Sequence, residues 1–342
     1  MSIPALDVNS QRLAEQRQAQ LIKPGGALGR LEDIACWFAA RQGREIPQAL
    51  QPAITVFAAD HGVACQGVSA YPQSVTAAML GSLANGQAAI AVLARELNAI
   101  YAVVDVGVIS NRTHLDNLHI KRIAQGTHDL SATAAMSTAQ ATLAMQVGAE
   151  QAQECIKQGA NLLIAGEVGI GNTTAAACLT AALTGLDAAL IVGTGTGLDQ
   201  QGRQHKLAIV RQALARGAVH EPLGLLAELG GFEIAAMSGF YLQSIRMGVP
   251  VLLDGFIATA AALLACAMEP AARDWMLAAH QSAELGHALA LEHLCLKPLL
   301  HLNLRLGEGS GAALAVPLLQ SALRLHRDMA TFAEAGVAGG SN

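Results

Sequence analysis

The chain has 342 residues, about half of them apolar, with 34 glycines and only 3% aromatic side chains. That length suits one large domain with an appendage or two domains, and the small-residue bias excludes a disordered or fibrous chain. A formal net charge of −5 leaves no basic footprint, which argues against a nucleic-acid partner.

Residues 9–21 have helical character, ended by Lys23-Pro24-Gly25-Gly26. Residues 30–41 predict a second short helix, with Leu31, Ile34, Ala35 and Phe38 at helical spacing. Five short apolar runs then recur. Residues 53–59 end in Asp60-His61-Gly62, 100–104 in Asp105-Val106-Gly107, and 162–165 in Gly166-Glu167-Val168-Gly169. Residues 188–192 end in Gly193-Thr194-Gly195-Thr196-Gly197, and 249–253 in Asp254-Gly255. None alternates with polar residues, as expected of strands covered on both faces of a parallel sheet. Helical stretches lie between them at 74–97, 134–157, 173–183, 203–215 and 256–268. The alternation predicts an α/β fold, an open parallel sheet flanked by helices. Residues 111–129, holding His114, His119 and His128, break the rhythm and read as irregular loop. From Asp274 onward the chain reads as helical, ending in 310–334, with 336–342 frayed.

The polar residues 1–20 lack the apolar core of a signal peptide, and the most apolar stretch, 255–268, is too short to span a bilayer. Cys36, Cys65, Cys155, Cys178, Cys266 and Cys295 are scattered without a Cys-x-x-Cys pair. They read as buried apolar side chains in a reduced compartment, not as a zinc site. A soluble cytoplasmic protein without a membrane partner is expected.

In open parallel sheets ligands bind beyond the carboxyl ends of the strands, and each predicted strand ends there in glycine with polar residues nearby. Arg305-Leu306-Gly307-Glu308-Gly309-Ser310-Gly311 sets one carboxylate between glycines with apolar flanks. The glycines let a ligand approach, and a poorly hydrated pocket would raise the Glu308 pKa towards that of a general base. A glutamate that simply favours the start of the following helix fits the same residues. Gly166 through Thr174 form a strand–glycine loop–helix junction suited to wrapping an anion, with Asn172, Thr173 and Thr174 as added donors. A tight turn with an Asn or Thr cap is the plainer account. Gly193 through Gly197 form a second such loop, a weak dinucleotide fingerprint with Asp199 placed to start the next helix. Asp60-His61 suits either an acid–base pair or a hydrogen-bonded loop. His280, His287, His293 and His301 lack metal spacing and read as structural or solvated. Two glycine loops and two isolated carboxylates, Glu167 and Glu308, describe a site for a phosphorylated sugar and a proton abstraction.

Taken in order, residues 23–32, Ala59-Asp60-His61-Gly62-Val63, residues 166–174, Gly230-Gly231-Phe232-Glu233, residues 251–256 and residues 305–315 resemble the nicotinate-nucleotide–dimethylbenzimidazole phosphoribosyltransferases. The likeness runs from about residue 20 to 330. It implies a large Rossmann-like domain over 48–306 and a small helical domain from 1–47 and 307–342. It also implies a homodimer and neither metal nor cofactor. The implied reaction moves the phosphoribosyl group of nicotinate mononucleotide to 5,6-dimethylbenzimidazole with inversion, giving α-ribazole 5′-phosphate for the lower ligand of cobalamin. The family's general base falls on Glu308. Glu167, Gly169, Gly171, Asn172, Thr173, Thr174, Gly193 and Gly195 would hold the nucleotide. Tyr71, Met79, Val168 and Leu306 would line the acceptor-base pocket. Gly25 and Ala27 stand where Pro and Ser are usual, and Tyr71 and Met79 where Ser and Gln are, so another benzimidazole, adenine or a phenol stays open as acceptor. Two other readings remain. An NAD-dependent oxidoreductase would need an acid about twenty residues beyond Gly193–Gly197, where Glu221 precedes Pro222 in a predicted turn. A nucleotide-binding regulator would have no use for a desolvated Glu308.

Overall fold

The computed structural model describes residues 2–109, 117–216, 219 and 221–338. His114 and the tail from 339 lie outside them. Two helices open the chain. The first, α1 (Val8–Gln20), starts where Asp7 Oδ1 accepts from the Ser10 N–H at 2.9 Å, an ordinary N-cap. The second, α2 (Arg30–Gln42), stops at Gly43 in the left-handed region. There follow β1 (Pro52–Ala59), α3 (Ser74–Ala84), α4 (Ala89–Glu96), β2 (Ile100–Gly107), β3 (Leu118–Ile120), α5 (Thr138–Lys157) and β4 (Leu162–Val168). The chain continues through α6 (Asn172–Thr184), α7 (Ala188–Ile191), α8 (Gln200–Ala215), α9 (Pro222–Leu229) and α10 (Phe232–Arg246). It closes with β5 (Val251–Leu253), α11 (Phe256–Met268), β6 (Met276–Ala278), α12 (Leu285–His293), α13 (Ser310–Asp328) and α14 (Phe332–Ala335).

The six strands form one sheet in the order β3-β2-β1-β4-β5-β6, every neighbouring pair parallel. This is the doubly wound order of dinucleotide-binding folds, with its switch point between β1 and β4. All eight residues of β1 are buried. Its side chains alternate, so Ala53, Phe57 and Ala59 join a core with α5, α6, α10 and α11, while Ile54, Val56 and Ala58 join a second core with α2, α3, α4 and α13. Each fully buried Phe or Ile contributes about 1.5–3 kcal/mol, so both faces stabilise the sheet.

Several expectations need correction. Residues 188–191 form the helix α7, not a strand; Asp187 Oδ1 caps it by accepting from the Ala189 N–H at 2.8 Å. A four- or five-residue apolar run carries no period, and here the cap decides. The dinucleotide fingerprint at Gly193–Gly197 therefore lacks the strand that should precede it. Strand β6 lies where helix was expected, and β3 lies in the segment read as irregular. The 74–97 helix is two helices joined through Asn85–Ala88, with Gly86 at φ 75°. By length and composition Ser74–Glu96, with mean hydropathy 1.4, is the one described stretch apolar enough to cross a membrane; its Leu80, Leu83 and Ile90 are fully buried in the second core. Glu221 is not in a free turn but caps α9, accepting from the Gly224 N–H. Asp199 does start α8, through the Gly202 N–H at 2.8 Å.

Candidate active site

The carboxyl ends of β4 and β5 meet the start of α13 around a cavity of about 590 Å³. Glu308 sits in its wall, on a bend where Gly307, Glu308 and Gly309 all have positive φ (84°, 64° and 89°). Two glycines take this backbone without strain, but a glutamate does so only when its surroundings enforce it. The bend packs directly on β4: a Cβ on Gly166 would lie 2.0 Å from the Glu308 carbonyl oxygen. Asp254, at the end of β5, accepts from the Gly309 N–H at 3.1 Å and the Ala312 N–H at 2.9 Å, closing the first turn of α13. The Glu308 residue is only 5% exposed. Burial raises its pKa, with the Asp254 charge adding and the Ile90 N–H at the start of α4 opposing. Among the described residues its Oε2 has no hydrogen-bond partner. Such a carboxylate is set to take a proton.

Glu167 ends β4 beside this bend and accepts a short hydrogen bond from Asn172 Nδ2. Burial raises its pKa well above the usual range, reinforced by the charges of Glu233, Asp254 and Glu308. The first turn of α6 starts from Gly171 at φ 98°, with the Asn172 N–H donating to the Gly169 carbonyl at 3.1 Å and the Thr174 N–H to the Gly171 carbonyl at 3.0 Å. Thr173 Oγ1 there accepts from Lys206 Nζ at 2.6 Å, and Gly195 leaves room for both. The Lys206 ammonium is almost fully buried, and burial pushes its pKa down to about 8 against the opposing charge of Glu284. A helix N-terminus, a buried lysine and a glycine loop together suit a phosphate. The same cavity has apolar lining from Tyr71, Val75, Met79, Leu93, Val168, Leu306 and Leu314.

Of the residues singled out in the sequence, Glu308, Glu167, Gly169, Asn172, Thr173, Gly195, Tyr71, Met79, Val168 and Leu306 line this one cavity. Gly171, Thr174 and Gly193 lie behind its wall. Gly171 packs on the His61 side chain, Thr174 is fully buried and Gly193 abuts the Glu284 carboxylate. Asp60 and His61 are also set back. His61 Nε2 lies 2.6 Å from Glu233 Oε1 in a fully buried pair, and Asp60 Oδ2 accepts from the Ile109 N–H at 2.8 Å. His293 and His301 are exposed and His287 is buried, but His280 lines the cavity. Lys206 was not singled out by sequence, and His280 was read there as structural or solvated. Lys206 left one trace, a lone cation in register with Ile209, Val210 and Ala213 on the buried face of α8.

A phosphoribosyltransferase family model, DBI_PRT, matches residues 3–337. The chain is 55% identical over 338 residues to the nicotinate-nucleotide–dimethylbenzimidazole phosphoribosyltransferase of Chromobacterium violaceum, covering 98% of each chain. It is 51% identical to the enzyme of the same name from Azotobacter vinelandii, over 97% of this chain and 96% of that one. The crystal structure of CobT from Thermus thermophilus superposes with a TM-score of 0.95 at 47% identity, over 97% of this chain and 100% of that one. A chain matched end to end by these relatives, with a phosphate-type loop and a buried carboxylate in one cavity, is a phosphoribosyltransferase and belongs to the nicotinate-nucleotide–dimethylbenzimidazole phosphoribosyltransferase family.

Proposed function

We propose that the chain transfers the 5-phosphoribosyl group of nicotinate mononucleotide to 5,6-dimethylbenzimidazole, with Glu308 as general base. The observation that carries this reading is the buried Glu308 carboxylate, its Oε2 unpartnered among the described residues, in one cavity with the Gly169–Thr173 loop and a set of apolar side chains. An azole nitrogen is a weak nucleophile while the ring keeps its N–H proton. The proton passes to Glu308 as the other nitrogen forms a bond to C1′. The bond from C1′ to the pyridinium nitrogen breaks, its electron pair stays on that nitrogen, and neutral-ring nicotinate leaves. No acid is needed on the leaving side. Attack opposite the leaving group inverts C1′, so the β-nucleotide gives α-ribazole 5′-phosphate.

Lys206, Thr173, Gly169 and Gly195 would take the phosphate, and Glu167 with Asn172 would face the ribose, where a carboxyl group favours positive charge developing at C1′. Tyr71, Met79, Val168 and Leu306 would hold the base by burial alone, which suits an alkylated benzimidazole. The apolar side chains exposed at the rim, Tyr71, Leu306 and Leu314, favour a homodimer, testable by mass in solution. A cytoplasmic enzyme with small-molecule substrates and no nucleic-acid or membrane partner completes the proposal. The deciding experiment is nicotinate release from the mononucleotide with and without dimethylbenzimidazole, with the product identified by chromatography. Acceptor-dependent release with an α-riboside product is expected. Release without acceptor would make the chain a nucleosidase, and no release in either condition would overturn the reading.

A further inference from the structure

The base sits on the least relaxed backbone of the site, and the contacts that enforce it come from two residues outside the reaction. Asp254 does not line the cavity. Its two oxygens are both committed to the backbone on the far side of Glu308, to Gly309 N and Ala312 N. The carboxylate is 3% exposed and lies 3.3 Å through Oδ1 from His280 Nε2. The imidazole is pressed against the same helix start: a Cβ on Gly311 would lie 2.2 Å from its ring atoms. Behind it stands His287, ring centroids 6.0 Å apart. That second ring is itself fixed, with Nδ1 accepting from the Ser282 N–H at 2.8 Å and Nε2 against Thr259 Oγ1 at 2.9 Å. Residues from the ends of β5 and β6 thus meet the first turn of α13 and hold the bend from below.

We propose that Asp254, braced by His280, is a positioning residue for the reaction, holding the Gly307–Gly309 bend so that the Glu308 carboxylate stays aimed at the acceptor nitrogen. This rests on the reading of Glu308 as general base. The left-handed glutamate needs an external clamp, and a misplacement of about 1 Å at a reacting group costs roughly 10²-fold in rate. Asn at 254 has one acceptor oxygen where Asp has two, so one backbone N–H would lose its partner.

The test compares Asp254→Asn, His280→Gln and Glu308→Gln with two acceptors of the same shape, 5,6-dimethylbenzimidazole and 5,6-dichlorobenzimidazole. Chlorine matches methyl in size but makes the ring N–H more acidic, so the second acceptor depends less on the base. Asp254→Asn is expected to lower kcat about 10²-fold with the dimethyl acceptor and clearly less with the dichloro acceptor, leaving the Kd of nicotinate mononucleotide unchanged. His280→Gln, which keeps both backbone bonds of Asp254 and guards against a folding failure of the first variant, is expected to show the same acceptor pattern with a smaller loss. A merely structural role would slow both acceptors alike or weaken nucleotide binding. If Glu308→Gln is acceptor-sensitive and the other two variants are not, the positioning role is overturned while the base reading stands. If Glu308→Gln is itself insensitive to the acceptor, the base reading fails and this proposal fails with it.

Discussion

Glu308 carries two costs at once, a buried carboxylate and a left-handed backbone, and the first of them is titratable. Its pKa is raised above the ordinary 4.5 by burial, so the folded chain binds this proton more tightly than the unfolded chain does. The stability contributed by Glu308 is therefore greatest below about pH 4.5 and is lost as pH rises through the raised value. Activity runs the other way, since a base must be ionised. The acid limb of kcat is expected above pH 4.5. Glu308→Gln should slow transfer by roughly 10²–10⁴-fold, the usual contribution of a general base, and yet melt higher than the parent at pH 8. That advantage should shrink as the pH is lowered towards 4.5. An unchanged kcat, or a stability gap that ignores pH, would contradict the base assignment. Lys206 makes the matching case for the nucleotide end. Lys206→Met removes the buried ammonium next to Thr173 and should raise KM for nicotinate mononucleotide about 10–10²-fold, the worth of a charged hydrogen bond. Its effect on the acceptor's KM should be slight, and steady-state kinetics with each substrate varied in turn would separate the two.

At the scale of elements, the sequence disclosed what depends on local composition. Four of the five apolar runs are strands because each pairs in the parallel sheet, β1 with β2 and β4, and β4 with β5. The run at 188–192 failed because its cap, Asp187, outweighed an ambiguous pattern. The short strands β3 and β6 were missed because three residues carry no period; pairing with β2 and β5 makes them strands. The glycine loops and Glu308 were legible, since few residue types fit a close backbone approach. Lys206, Asp254 and His280 could not be placed in the site, because what makes them matter is contact across 33, 55 and 26 residues of sequence. The crossing of β4 by the Gly307–Gly309 bend gives a direct test. Gly166→Ala would drive a Cβ to 2.0 Å from the Glu308 carbonyl. Because the obstacle is backbone, the bend must shift, at about 1–3 kcal/mol. Transfer should drop with the fold retained, and normal turnover in this variant would show that the bend tolerates displacement.

For the whole molecule, the two chain ends are bound to each other by groups some three hundred residues apart. Arg17 of α1 donates from Nε to the His326 carbonyl at 2.9 Å and from Nη2 to that of Arg327 at 3.0 Å. Leu21 pairs with Thr331. Gln18 Nε2 donates to His326 Nδ1 at 2.8 Å, which leaves the ring proton on Nε2 for the Glu45 carbonyl at 2.9 Å. We propose that 1–47 and 307–342 act as one helical unit beside the 48–306 sheet. Its α2 and α13 share a core with that sheet through Phe38, Ile54, Val56 and Leu319, so the unit should unfold together with it. The tie uses neutral imidazole, and burial lowers the His326 pKa, opposed in part by the bond to Glu45. A lowered pKa means the contribution is full above the unfolded value of about 6.5 and is lost as pH falls through the folded one. Each proton so linked changes stability by about 1.4 kcal/mol per pH unit. His326→Gln should therefore lower the urea midpoint at pH 8 and differ less from the parent at pH 5, where the parent has begun to lose the tie. A gap of equal size at both values would mean that His326 holds the chain ends together without titrating.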